Sequence, residues 1–190
     1  MYYVEYFRRR EGMALDEFRR RTTPLFREWS RREREDELIA SLGRTWRMGP
    51  DPYILVWRCR GVERIDEWNA IFSSSAVDDI EKPILEAMET YRSGFYREVI
   101  PAAAPLDSGF YYFESHEPWD GAGESYGERA ADVGGSAVLV GARVGLLGPE
   151  PGGLALVAVP TLACCEHLQR TVTPHSREAG LFAPIGEEIL

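Results

Sequence analysis

The sequence predicts an α+β fold made of two successive units, each with the element order βαββαβ. Residues 2–100 read as four strands and two helices in that order. Short strings around these strands recur later in the chain, in the same order. The strands are apolar at both odd and even positions, as in Tyr53–Trp57, which is typical of a sheet buried on both faces. We therefore expect the two units to cover each other's open sheet faces.

The first unit is predicted from apolar spacing and turn residues. Its first helix starts near Ala14, and Pro24 is expected to kink or restart it. A second helix starts near Ile65, is interrupted by Ser73-Ser74-Ser75, and stops at Gly94. The four strands are expected at Tyr2–Arg8, Leu38–Met48, Tyr53–Arg60 and Phe95–Ile100.

The second unit is predicted from internal similarity to the first. Three strings match in order: Met1–Glu5 with Phe110–Glu114, Gly49–Pro52 with Gly148–Pro151, and Leu55–Val56 with Leu156–Val157. Pro118–Gly134, where a first helix is due, is glycine-rich and is expected to be mostly loop. With Pro101–Pro105 as a linker, we predict repeat units at residues 1–104 and 105–190.

Composition excludes several classes of function. The net charge of −9 argues against nucleic acid as a partner. The chain has three cysteines without disulfide or zinc spacing, no signal-like start, and no apolar run long enough for a membrane. We expect a cytoplasmic protein that does not bind membranes and whose partner is a small-molecule substrate. A homo-oligomer through exposed strand edges stays open.

Three strings carry a resemblance to a known family: Gly43–Pro50 running into Tyr53–Arg58, and Ile65–Trp68 opening the second helix. With the βαββαβ order, the chain resembles the dimeric α+β barrel superfamily, and within it the NIPSNAP-like and antibiotic-biosynthesis-monooxygenase-like proteins. The resemblance implies that two ferredoxin-like sheets face each other as a barrel within one chain. Members include monooxygenases, polyketide cyclases, isomerases, haem-degrading and haem-binding enzymes, and proteins without known catalysis.

One strand of the second unit carries a row of side chains suited to proton transfer. Tyr112, Glu114 and His116 alternate and therefore share one face of the strand. A buried carboxylate and a histidine can titrate near neutral pH, where general acid–base catalysts work best. The alternative is a structural row, with Glu114 paired to an arginine and His116 at a solvated strand end. The first unit has Tyr3 and Glu5 but no matching histidine.

The remaining histidines give two further candidates. Thr173-Pro174-His175 matches a Pro-His segment that the family often carries partway along the second helix, which the resemblance implies as a site in the second unit, with the first unit as scaffold. His175 is read as an acid–base catalyst or, by the resemblance, as a haem ligand. His167 competes for that role, and a surface position is the alternative for both.

Arginines and tryptophans are candidates for binding substrate. Arg44 and its repeat partner Arg143 stand in strands, where a buried guanidinium needs Glu5, Glu114 or an anionic ligand as partner. Four tryptophans are candidate walls of an aromatic pocket, although large aromatic side chains mostly fill cores; they are Trp46, Trp57, Trp68 and Trp119, and the first two are the preferred candidates.

These residues favour a small-molecule enzyme of bacterial secondary metabolism, in which His175 or His116 moves a proton during cyclisation, isomerisation or oxygenation of a hydrophobic or aromatic substrate. Neither a phosphate-binding glycine loop nor a two-histidine metal spacing occurs, so we expect no cofactor and no metal. Two alternatives stay open: a haem-binding enzyme with an axial histidine in the second unit, and a non-catalytic binding or assembly module.

Overall fold

The computed structural model describes most of the chain. The described residues are 1–32, 36–44, 52–61, 63–72, 78–100, 109–116, 125–143, 152–171 and 176–184. The first half of the protein, β1 to β4, consists of β1 (Tyr2–Arg9), α1 (Leu15–Arg32), β2 (Glu37–Arg44), β3 (Pro52–Arg58), α2 (Glu63–Phe72), α3 (Asp78–Ala87) and β4 (Met88–Ile100). The second half, β5 to β8, consists of β5 (Phe110–His116), α4 (Ser125–Asp132), β6 (Ser136–Arg143), β7 (Gly153–Val159), α5 (Leu162–Arg170) and β8 (Ser176–Pro184).

The strands close into a barrel in the order β1-β3-β2-β8-β5-β7-β6-β4. All the strand pairs are antiparallel. Each half contributes a run of four neighbouring strands, and two seams, β2 with β8 and β4 with β6, join the runs. The predicted α+β class is confirmed. The four-stranded sheets of the two halves join at both edges and together form one closed barrel.

Apolar side chains from both halves fill the barrel interior. Tyr2 and Val4 of β1 pack in one cluster with Tyr111 and Phe113 of β5. Phe113 also meets Phe182 edge to face, with ring centroids 5.7 Å apart. The alternating residues of these strands point outwards to the helices, so each strand is buried on both faces, as its composition predicts.

Two further clusters lie outside the barrel, between each half of the sheet and its helices. In the first half, Phe18 of α1 is fully buried and stacks on Tyr53, with centroids 5.2 Å apart. In the second half, Tyr126 and Ala130 of α4 and Leu168 of α5 are buried against β5 and β7. These two clusters are named the first and the second outer layer below.

Strand β4 begins earlier than the sequence predicts. Met88 was expected in a helix that stops at Gly94, but β4 already starts at Met88 and pairs with β1 as far as Tyr96 opposite Tyr2. The apolar spacing of this segment suits a helix and a strand equally well. The segment becomes a strand because β3 covers only one edge of β1. Without β4, the backbone N–H and C=O groups at the other edge of β1 would have no hydrogen-bond partner.

The two first helices also differ from expectation. α1 continues through Pro24 as one element. In the second half, the segment expected to be mostly loop contains the eight-residue helix α4. α4 ends because Gly134 adopts a φ of 68°, while the Gly135 N–H donates to the Ala130 carbonyl over 2.8 Å. None of the helices within the described ranges is long and apolar enough to cross a membrane.

Candidate functional site

The outer layers of the two halves have the same strand pairing but side chains of different size. In the first half, β3 places Trp57, Leu55 and Tyr53 opposite Tyr3, Glu5 and Phe7 of β1. In the second half, β7 places Val157, Ala155 and Gly153 opposite Tyr112, Glu114 and His116 of β5. A large residue of β3 is thus matched each time by a smaller residue of β7. The second outer layer has less side-chain volume at these positions.

This register also corrects one of the sequence matches. Leu55 lies opposite Glu5, whereas Ala155, not Leu156, lies opposite Glu114. If Glu5 and Glu114 are taken as equivalent, the residue equivalent to Leu55 is Ala155, one position before Leu156. Since neighbouring residues of a strand point to opposite faces, Leu156 lies in the barrel interior and not in the outer layer.

A buried ion pair occupies the space beside these small residues. The Glu114 side chain is 0% exposed, and Arg129 of α4, 14% exposed, donates from Nη2 to its Oε2 over 3.3 Å. The same Nη2 lies 3.2 Å from the Leu168 carbonyl and 3.4 Å from Thr171 Oγ1, at the end of α5. Arg129 therefore connects the glutamate of β5 with both helices of the second half.

Two buried tyrosines complete the cluster. Tyr126 lies one helical turn before Arg129, whose guanidinium carbon is 4.8 Å from the centre of the Tyr126 ring. Burial, and then the nearby Glu114 carboxylate, raise the pKa of Tyr112 and of Tyr126 well above the ordinary value of a phenol. Both phenols therefore keep their protons at neutral pH and can donate hydrogen bonds.

Several donors of this cluster lack an acceptor. Within the described part of the chain, the Tyr112 hydroxyl and the Nε and Nη1 atoms of Arg129 are buried without a hydrogen-bond partner. Polar atoms buried in proteins nearly always have a partner, so each of these atoms is exceptional. Together they form a set of donors suited to an acceptor oxygen.

The first half treats its polar groups differently. Glu5 accepts a hydrogen bond from the Trp57 indole over 2.7 Å. Its buried arginine, Arg64, donates from Nη2 to Asp36 over 2.6 Å and from Nε over 3.2 Å, and it also pairs with Glu67. In the first half, therefore, the glutamate of β1 is bonded to a tryptophan, and the buried Arg64 is bonded to Asp36 and not to that glutamate.

The structure brings two of the predicted catalytic residues together. Tyr112 and Glu114 share the buried cluster. His116 ends β5, opposite Gly153 of β7 and Ser176 of β8. His167 is exposed on α5, whose buried positions are Cys165 and Leu168. His175 lies outside the described residues, and α5 ends at Arg170, before it.

The predicted substrate-binding residues that the structure describes lie on several strands. Trp57 is buried in the first outer layer. Arg44 ends β2 opposite Phe182, and Arg143 ends β6 opposite Tyr96. Trp46 lies outside the described residues. The arginine that meets Glu114 is Arg129, so the expected pairing with an arginine exists but uses a helical residue.

Sequence reasoning missed Arg129 and Tyr126. The signal was present, because Tyr126, Arg129 and Ala130 have the spacing of one helix face and Gly134-Gly135 is a helix stop. The glycines before this segment obscured it, since they made the whole stretch look like loop.

Comparisons with known proteins give the fold. No protein-family model matches the chain, and no curated protein matches it. Among solved structures, an anthrone oxidase-like protein is 10% identical with a TM-score of 0.57, over 97% of this chain and 90% of that one. A heme-binding protein from Thermus thermophilus is 13% identical with a TM-score of 0.53, over 99% and 92% of the two chains. DypB from Rhodococcus jostii, in complex with heme, is 9% identical with a TM-score of 0.53, over 96% and 92%.

At such identities these structures show a shared fold. They agree with the dimeric α+β barrel architecture that the sequence resembles. They also contradict the prediction that the protein uses no cofactor, because two of these proteins, alike over almost the whole chain, are named for haem or hold it. The prediction was drawn from missing phosphate and metal motifs, and a haem site needs neither of these motifs.

Proposed function

We propose that this chain is a haem-binding oxidative enzyme that acts on a hydrophobic or aromatic small molecule in its second half. The observation that carries the proposal is the second outer layer, which combines small residues on β7 with the buried cluster of Glu114, Arg129 and the two tyrosines. The shared fold with haem proteins supports the choice of cofactor.

The residues present fit haem in their donor chemistry. Haem iron takes His, Tyr or Cys as a protein ligand, and its propionates need cationic or N–H donors. His116 ends the β5 row, and His175 directly precedes Ser176, the residue that pairs with His116. Arg129 has buried N–H groups without an acceptor in the described part of the chain. When bound, haem supplies the redox chemistry of iron toward oxygen or peroxide.

Among the histidines, His175 is proposed as the iron ligand. His167 is the weaker candidate because its side chain is exposed and two residues away from the buried Cys165, on the side of α5 turned from the sheet. Glu114 and Tyr112 are proposed to accept and donate protons at the substrate, and His116 to serve the same row.

The finer predictions from the sequence belong to the same proposal. We propose that residues 1–104 and 105–190 are diverged tandem repeats, that the first is the scaffold, and that the chain is related to NIPSNAP-like or antibiotic-biosynthesis-monooxygenase-like proteins and serves bacterial natural-product biosynthesis. The equal strand order of the two halves supports the repeat.

Haem titration tests the cofactor. We expect the purified protein to develop a Soret band that saturates at equimolar haem, and His175→Gly to lose the band but regain it with added imidazole. His167→Gly is the matched control and should keep the band. If the wild type gives no band, or if His175→Gly binds haem as the wild type does, the haem proposal or the choice of ligand is wrong.

A further inference from the structure

We propose that Arg129 and Tyr112 form a binding site for the oxyanion of an organic carboxylate or phenolate. The inference takes its location from the proposed function, since both concern the second outer layer, but it does not require haem. It rests on buried donors that the protein itself leaves without an acceptor.

The first step is the number of unused donors. Within the described residues, the Tyr112 hydroxyl and the Arg129 Nε and Nη1 atoms are all buried without a hydrogen-bond partner, and the Glu114 carboxylate that raises the pKa of Tyr112 is the nearby acidic group. Burying such a group without an acceptor costs about 1–3 kcal/mol, and more when the group is charged. Two neighbouring side chains that both carry this cost indicate a place where a ligand oxygen is bound.

The second step is that the Glu114 carboxylate neutralises the charge of Arg129 only in part. Its contact with Glu114 is a single 3.3 Å hydrogen bond, longer than the roughly 2.7–2.9 Å of a charge-assisted bond. Its other acceptors are neutral oxygens, the Leu168 carbonyl and Thr171 Oγ1. Arg64 of the first half, by contrast, has three hydrogen bonds to Asp36. The guanidinium of Arg129 can therefore take a second anion.

The third step is access and neighbouring volume. The Arg129 side chain is 14% exposed, so part of it reaches solvent; its Nε and Nη1 atoms and the Tyr112 hydroxyl are buried, and a ligand oxygen reaches them by displacing the side chains that cover them. The residues of β7 opposite Tyr112 and Glu114 are Val157 and Ala155, which are small. A carboxylate attached to an apolar or aromatic body matches donors of this kind next to a small-residue surface.

Two sources can supply such an oxyanion: a substrate, or a haem propionate. Calorimetric titration of the haem-free protein with 2-naphthoate and with neutral 2-naphthamide tests the first source. Titration with haem and with haem dimethyl ester, whose propionates are blocked, tests the second. Both titrations measure binding and not turnover.

We expect 2-naphthoate to bind and 2-naphthamide to bind at least tenfold more weakly. Arg129→Gln should weaken naphthoate by about 10- to 100-fold, and Tyr112→Phe by up to about tenfold, since each removes a donor. Arg170→Gln is the matched control, because Arg170 lies on α5 with a 76% exposed side chain whose ion pair, within the described residues, is with the exposed Glu166. It should leave the affinity unchanged.

The oxyanion is a propionate if haem binds more tightly than its dimethyl ester, Arg129→Gln removes this difference in affinity, and naphthoate and naphthamide bind equally. If neither ligand pair is discriminated, the oxyanion site is refuted. Arg129→Lys keeps the charge and serves as the second variant where Arg129→Gln melts at a lower temperature. A protein that binds naphthoate without any Soret band on haem addition would refute the haem proposal alone.

Discussion

The two outer layers have the same strand pairing and differ in the size and charge of the side chains that lie between sheet and helices. Opposite equivalent residues of the opening strand, the first half has Trp57 and Leu55 where the second has Val157 and Ala155. In the first layer the rings of Phe7, Phe18 and Tyr53 also contact one another, with centroids 5.2 to 6.1 Å apart. Because buried apolar area is the main favourable term in folding, the first layer is suited to stability. The second layer has smaller residues beside a buried ion pair that is joined by a single hydrogen bond, whereas the buried pair of the first half, Arg64 with Asp36, is joined by three.

The largest effect is expected from truncating the first layer. Trp57→Ala removes a 1% exposed side chain and its hydrogen bond to Glu5, and should lower the free energy of unfolding by about 3–5 kcal/mol. Val157→Ala, at the equivalent place, should cost about 1–2 kcal/mol. Urea denaturation of both variants measures the difference. Equal losses would mean that the two layers contribute alike to stability.

A slightly smaller effect is expected from breaking the buried pair. Arg129→Leu leaves Glu114 buried without its charged partner and should cost about 3 kcal/mol in urea denaturation. The double variant Glu114→Leu/Arg129→Leu should recover most of this loss, because an apolar pair avoids the cost of burying charge. A double variant as unstable as the single one would show that the pair stabilises the fold and would weaken the contrast with the first layer.

Each half has one buried cysteine, Cys59 in the first and Cys165 in the second, and the reactivity of their thiols can be compared. Burial and Asp36 raise the pKa of Cys59 to about 12, and burial and then Cys164 raise that of Cys165 to about 11. At about pH 8 both remain thiols, which react slowly. We expect Ellman's reagent to modify Cys164 alone quickly in the native protein, and all three cysteines after unfolding. Fast reaction of Cys165 would show that the second layer opens readily.

The smallest effect concerns Tyr2 in the barrel interior that both halves share. Burial, and then its 2.7 Å hydrogen bond to Glu98, raise the pKa of Tyr2 to about 12. The native state therefore holds this proton more tightly than the unfolded chain, so stability is retained below the ordinary phenol pKa and lost as the pH rises through that value towards 12. Tyr2→Phe should cost about 1 kcal/mol near neutral pH and flatten this alkaline loss. If the free energy of unfolding of Tyr2→Phe falls with rising alkaline pH as steeply as that of the wild type, groups other than Tyr2 cause the alkaline loss.

The sequence predicts the strands well and their partners less well. Apolar residues at both odd and even positions identify β1, β3 and β7, because both faces of these strands are buried. The start of β4 at Met88 was hidden, since only the pairing with β1 distinguishes a strand from a helix there. The position of Ala155 opposite Glu114 depends on register, which the intervening loops do not reveal.

The candidate site could be predicted only in part. Tyr112 and Glu114 follow from strand periodicity, which puts them on one face. Arg129 could not be assigned to them, because the contact joins residues 15 positions apart through a helix hidden in a glycine-rich segment. Long-range contacts of this kind depend on how the elements pack, and local pattern does not contain that information.

The two seams of the barrel have an evolutionary consequence. Strands β2 with β8 and β4 with β6 join halves that belong to one polypeptide. In a symmetric dimer of identical subunits every substitution appears twice, and a change that opens one layer also weakens the other. Here the tether keeps the halves together at any concentration, and each half can mutate alone. One half is thus free to accumulate costly polar substitutions while the other keeps the barrel closed.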